Sequence, residues 1–286
     1  MILLEIVIGT IVLLSFICII FLYIILYIKK RIYDILNEDI NIDIELEKIN
    51  YPLNLYTDKF NPDILKYLIK ILLDFNTENK NNNTLIYSDI YDKIYYIYYN
   101  KKRIIKIILD KNNNLWLVVR GTLTYNEFEH DLRISQSNLG ICGIKCHKGF
   151  SEIYSKIQKE LFELLNKINP NKILCLGHSL GGGVLTIASH DLFTIFKKCD
   201  IIIYTTGTPR ICNKIFYDVS KNLNIYKIEN LSDVYINAIP PVLPFYDNIS
   251  YYKIGKILYF DDNRENIIIN HKLELYFSNI KNLKYL

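Results

Sequence analysis

Gly177-His178-Ser179-Leu180-Gly181 is a G-x-S-x-G run in a chain of 286 residues. A serine hydroxyl attacks a carbonyl carbon once a base takes its proton and its oxygen projects freely. The apolar stretch Lys172–Leu176 predicts a strand directly before the run, and the residues from Leu180 predict a helix after it. A strand-to-helix turn tight enough to project a serine needs residues without Cβ two before and two after it, which is where Gly177 and Gly181 stand. Ser179 Oγ then lies at the carboxyl end of a strand, near a helix N-terminus whose free N–H groups favour an oxyanion, with the Leu180 N–H as one donor. Without a base, the same run would be no more than a glycine-rich helix start.

The base must be one of five histidines. On such an elbow His178 is expected to point away from its neighbour, and His190 falls about three turns down the following helix. His130 and His147 precede the nucleophile. The order nucleophile, carboxylate, histidine that this turn carries in hydrolases leaves His271, after the apolar run Ile267–Ile269, which reads as a strand leading into a loop. The orienting carboxylate belongs between 179 and 271. Asp233 follows the strand Ile225–Glu229 and precedes a proline-rich segment ending at Pro244. Asp247, Asp261 and Asp262 are substitutes that look like solvated loop charges.

The elements around these residues alternate. Ile94–Tyr99, Arg103–Asp110 and Leu115–Arg120 read as strands; after them come helix 151–166, strand 172–176, helix 180–197, strand 201–205, a helix near 213–223 and strand 225–229. Strands separated by helices predict an α/β fold with a mostly parallel central sheet covered on both faces. Nine of the eleven glycines fall between Gly121 and Gly207, so the functional region is centred there.

Upstream, Ile6–Ile28 is 23 residues without a charge, followed by Lys29, Lys30 and Arg31. As a helix this run is about 35 Å long, enough to cross a hydrocarbon core of about 30 Å. Residues 1–31 are therefore expected to be a single-pass anchor, with the basic flank putting the following domain in the cytosol. Sequons at Asn82, Asn230 and Asn248 would argue for the opposite side if glycosylated. Residues 32–83 read as a helical connector, with a helix opening at Pro62, and 84–286 as the α/β domain.

A formal charge of +4 with no basic stripe excludes the footprint of a nucleic-acid binder. The six cysteines are scattered through a chain too long to need disulfide staples, so buried free thiols are expected. Cys142 and Cys146 are spaced like half a metal site, but no second pair faces them in the sequence.

Taken in order, Val118-Val119-Arg120-Gly121-Thr122, Asp131-Leu132, His147-Lys148-Gly149-Phe150, the elbow with Gly182, Gly207-Thr208-Pro209-Arg210 with Asn213, Asp233 and His271 resemble the fungal-type triacylglycerol lipase family, lipase class 3, over roughly 85–280. The chain departs from the family pattern at Gly183, where Ala is common, and at Cys212, where Gly is common. The resemblance implies an α/β-hydrolase fold and a serine carboxylic-ester hydrolase acting on lipid esters through an acyl-enzyme, with Ser179, Asp233 and His271 as the triad. It implies that the Thr122 N–H is the second oxyanion donor and that His147 belongs to the buried scaffold. It also implies a lid after Thr122, with Leu123, Tyr125, Phe128 and Leu132 on its apolar face. The four charged residues interspersed there make that face modest, so weak interfacial activation is expected. No metal or organic cofactor is implied. The partners expected are a lipid ester and, through the N-terminal helix, a membrane. A phospholipase or acyltransferase of the same fold, a serine peptidase, and an inactive membrane-tethered binding module are the competing readings.

Overall fold

The computed structural model describes residues 49–81, 91–122, 135–140, 143–242 and 249–286, all within one compact unit that begins at Ile42. The proposed membrane span, its basic flank, the lid, Cys18 and Cys142, Asp247, and the sequons at Asn82 and Asn248 lie outside the described residues. Among the described residues no helix is long and apolar enough to cross a membrane.

A sheet of eight strands organises the domain, in the order β1 (Tyr91–Tyr99), β2 (Lys102–Asp110), β3 (Asn114–Val119), β6 (Lys172–His178), β7 (Asp200–Thr206), β8 (Ile225–Asn230), β9 (Lys256–Phe260) and β10 (Lys284–Tyr285). The five strands from β3 to β9 are parallel; β1, β2 and β10 add antiparallel edges. A short hairpin, β4 (Gln136–Asn138) with β5 (Lys145–His147), stands apart. The central strands are near-continuous apolar runs because both faces are covered. On one face Leu115, Leu117, Ile173, Cys175, Ile201 and Ile203 pack under α2 (Lys148–Ile168) and α3 (Leu180–Ile195), with Phe216 of the short helix α4 (Lys214–Ser220) in the same cluster. On the other, Trp116, Val118, Leu174, Leu176, Ile202 and Tyr204 pack under α1 (Pro62–Asn81).

That second layer corrects the expected domain boundary. The helix assigned to a connector buries Ile64, Leu65, Leu68, Ile69, Ile71, Leu72 and Phe75 to 1% exposure or less. The Tyr204 hydroxyl also bonds the backbone of Asn61 at its N-terminus. Without α1 this face of the sheet would be open to water, so the domain core starts well before residue 84.

Two further expectations are overturned. Residues 267–269 are not a strand but open the short helix α5 (Ile267–His271), which Asn266 caps by accepting from the N–H groups of Ile268 and Ile269; the cap decides against the β-branched run. Cys146 and Cys212 are not free thiols but a buried disulfide, their Cα atoms 4.0 Å apart across an antiparallel bridge, 66 residues distant in sequence. Cys146 therefore has a partner other than Cys142. Cys175 is a buried free thiol, as expected, and Cys199 a partly exposed one.

Candidate active site

Strand β6 runs out at His178, and α3 starts at Leu180. Ser179 between them has φ 54° and ψ −123°, a conformation that costs an L-residue about 1–3 kcal/mol and persists only where its surroundings enforce it. They do so by contact. A Cβ on Gly177 would stand 2.5 Å from the Gly181 carbonyl oxygen, and one on Gly181 would run into the carbonyls of Val119 and Arg120. The Ser179 N–H is committed to the Thr206 carbonyl at 2.9 Å, while its side chain makes no cap bond to α3. The hydroxyl faces His271 instead.

His271, the last residue of α5, places Nε2 2.8 Å from Ser179 Oγ and Nδ1 2.7 Å from Asp233 Oδ2. Asp233 follows β8, is fully buried, and opens the 3-10 turn Val234–Asn237 by accepting the Tyr235 N–H at 2.9 Å. Its Oδ2 also accepts the Tyr276 hydroxyl at 2.7 Å. Tyr276 sits in α6 (Leu273–Ser278), where burial and the adjacent carboxylate push its hydroxyl well above the ordinary phenol range, so it remains a donor. The carboxylate is thus held by donors from three elements.

The substitute carboxylates within the described residues are engaged elsewhere: Asp261 accepts from the Ser232 hydroxyl, and Asp262 pairs with Arg264 and Asn279. Asn230 is fully buried, and its side-chain amide bonds the carbonyls of Asp262 and Asn270, so this sequon is not an acceptor in the folded domain.

Around the imidazole the structure adds residues that sequence reasoning missed. The Tyr235 ring lies 4.3 Å from that of His271 between centroids. The His178 ring is 4.9 Å from that of His271, with Nδ1 3.0 Å from the Thr206 hydroxyl. Burial, reinforced by the neighbouring His271, holds His178 well below the usual imidazole range, which leaves it neutral. Nothing in a chain with 24 tyrosines marks Tyr276 or Tyr235 as special.

Arg120 is fully buried and donates to the carbonyls of Arg103 and Gly121. Gly121 comes close enough that a Cβ there would be 3.5 Å from the Ser179 Cβ, so Thr122 follows a residue packed directly against Ser179. His147 is buried, caps α2 through Phe150 N–H and stacks on the Phe150 ring at 4.2 Å, the scaffold role expected of it.

Residues 116–243 match the family lipase (class 3). Among curated proteins, a lipase of Rhizomucor miehei is 28% identical over 142 residues, 46% of this chain and 39% of its own length. A secreted mono- and diacylglycerol lipase of Malassezia restricta is 33% identical over 112 residues, 36% of this chain and 35% of its own. A chloroplastic phospholipase A(1) of Arabidopsis thaliana is 26% identical over 148 residues, 43% of this chain and 33% of its own. The chain therefore spans well under half the length of the curated relatives it matches. In three dimensions the Rhizomucor miehei triacylglyceride lipase superposes with a TM-score of 0.56 at 20% identity, covering 71% of this chain and 81% of that one. Motif order and the match over residues 116–243 make that stretch similar to lipase class 3, and the shared architecture gives the chain an α/β-hydrolase fold.

Proposed function

We propose that this protein hydrolyses carboxylic esters of lipids through an acyl-enzyme. The observation that carries the reading is the continuous path from buried Asp233 through His271 to the strained Ser179. Ser179 Oγ attacks the ester carbonyl while His271 Nε2 takes its proton and returns it to the leaving alcohol. Asp233 holds the imidazole with Nδ1–H toward the carboxylate and balances the imidazolium. The N–H groups of Leu180 and Thr122 are the oxyanion donors in this reading, supported by the free helix start at Leu180 and the approach of Gly121 to the nucleophile. Water then repeats the sequence on the acyl-enzyme.

The relatives' names support acylglycerols and phospholipids as the substrate range. Membrane attachment through residues 6–28 accords with such substrates. The Cys146–Cys212 disulfide supports an oxidising compartment for the domain in place of the cytosolic side expected from the basic flank, because such bonds are rare in the cytosol. Protease protection of the domain in sealed vesicles checks that orientation.

The test is fatty-acid release from vesicles of diacylglycerol, triacylglycerol and phosphatidylcholine, comparing wild type with Ser179→Ala. Release should vanish in the variant while its thermal transition stays within a few degrees. Equal release by both proteins would end the serine mechanism. Serine-dependent transfer of the acyl group to added alcohol in preference to water would make the enzyme an acyltransferase. No release or transfer by folded wild type would make the domain a binding module.

A further inference from the structure

The side chain of Lys227, on β8, is 2% exposed, yet its ammonium points away from solvent into the turn that follows β7. It donates to the carbonyl of Thr208 and, at 3.3 Å, to that of Pro209. That turn is a wall of the active site. Gly207 has φ +60°, and a Cβ there would be 2.9 Å from His271 Cε1, 3.1 Å from its Nδ1 and 3.1 Å from His178 Cε1. The Thr208 hydroxyl fills the space where a Cβ on Gly182 would stand, so the turn is wedged between the imidazole and the start of α3. Tyr235 closes the ring from another element.

We infer that Lys227 is a positioning residue for His271: its buried ammonium clamps the Thr208 and Pro209 carbonyls and thereby holds the Gly207 wall against the imidazole. The groups facing Lys227 are Glu229 at 3.5 Å, Lys253, itself 2.6 Å from Glu229, and Arg210. Those facing His271 are Asp233, Ser179, His178, Tyr235 and, through Asp233, Tyr276. Burial pushes the Lys227 ammonium down to about 8 against the pull of Glu229, so the cation is kept at neutral pH at a cost that a hydrocarbon side chain would not carry.

The inference rests on the hydrolase reading for its consequence in turnover, but its first readout does not need turnover. The imidazole C–H resonances of His271 in the full chain, assigned with His271→Ala, are compared at one pH in wild type, Lys227→Met and Lys227→Arg. The Met variant is expected to shift or broaden them, because the Gly207 wall against the ring loosens, and the Arg variant to leave them in place. With the ester substrates, Lys227→Met lowers kcat about tenfold at unchanged KM, and Arg restores kcat to within about threefold. Unmoved His271 resonances in folded Lys227→Met overturn the inference. If the Met variant does not fold, Lys227→Gln replaces it and must shift or broaden the same resonances; unmoved resonances there are equally fatal. Absence of Ser179-dependent hydrolysis in wild type counts against the hydrolase reading alone, because the resonances still decide the role of Lys227.

Discussion

At the scale of single residues, the site concentrates its constraints on one carboxylate. Asp233 receives hydrogen bonds from His271, Tyr276 and the Tyr235 N–H, so it is fixed from three elements with no water needed to complete it. Tyr276 contributes one charge-assisted bond and nothing to the reacting atoms. Tyr276→Phe is therefore expected to lower kcat about tenfold with KM unchanged, since a hydrogen bond to a charged group contributes about 1.5–3 kcal/mol and part of that is shared with the remaining donors. Steady-state kinetics on a soluble ester checks this; an unchanged kcat would show that His271 and the turn suffice to orient the carboxylate.

At the scale of elements, close backbone approach does the positioning. Where α3 starts, Gly181 meets the carbonyls of Val119 and Arg120, and backbone atoms at the end of a central strand cannot swing aside as a side chain can. Gly181→Ala should cost more than about 3 kcal/mol in thermal or denaturant unfolding and abolish hydrolysis together with stability. The hairpin β4–β5 is tied to the loop after β7 by the Cys146–Cys212 disulfide and by the His147 N–H on the Ile211 carbonyl. Replacing both cysteines by serine releases a loop of 66 residues, and chain entropy then predicts a loss of about 4 kcal/mol. Unfolding of the double variant in denaturant, beside wild type with and without reductant, measures it.

For the whole molecule, the domain is a sheet that needs both of its layers. A chain beginning at Ile42 retains α1 and should unfold cooperatively, whereas one beginning at residue 84 exposes the face bearing Trp116, Leu174 and Tyr204 and should be insoluble or molten. The layer under α1 also stores an electrostatic cost. Asp74 is 6% exposed, its Oδ2 has no hydrogen-bond partner, and burial pushes its carboxyl up to about 6 despite Lys106 and Lys70. A carboxyl that binds its proton more tightly when folded stabilises the fold below its unfolded pKa, and that stability is lost as pH rises from about 4 through 6. Asp74→Asn should flatten the pH dependence in that window and raise stability at pH 7 by on the order of 2 kcal/mol, read from urea unfolding at pH 4, 5, 6 and 7.

The sequence by itself determined what depends on neighbours within a turn or two of the chain. Ser179 was legible as the candidate nucleophile because the elbow is a local steric demand that Gly177 and Gly181 meet. The strands were legible because burial on both faces leaves an uninterrupted apolar run. His271 and Asp233 were legible because few histidines were available and because Asp233 directly follows a strand. The tertiary structure alone decided what depends on which distant segments share a wall. Cys212 reaches Cys146 through the loop after β7, Tyr276 reaches Asp233 from a later helix, and His178 turns toward the imidazole because the Thr206 hydroxyl holds its other edge. The helix at Pro62 joined the core because a sheet face needed cover, and three isoleucines became helical because Asn266 capped them. Propensity and spacing act along the chain, whereas contact across a sheet is set by strand order and packing, which no single segment encodes.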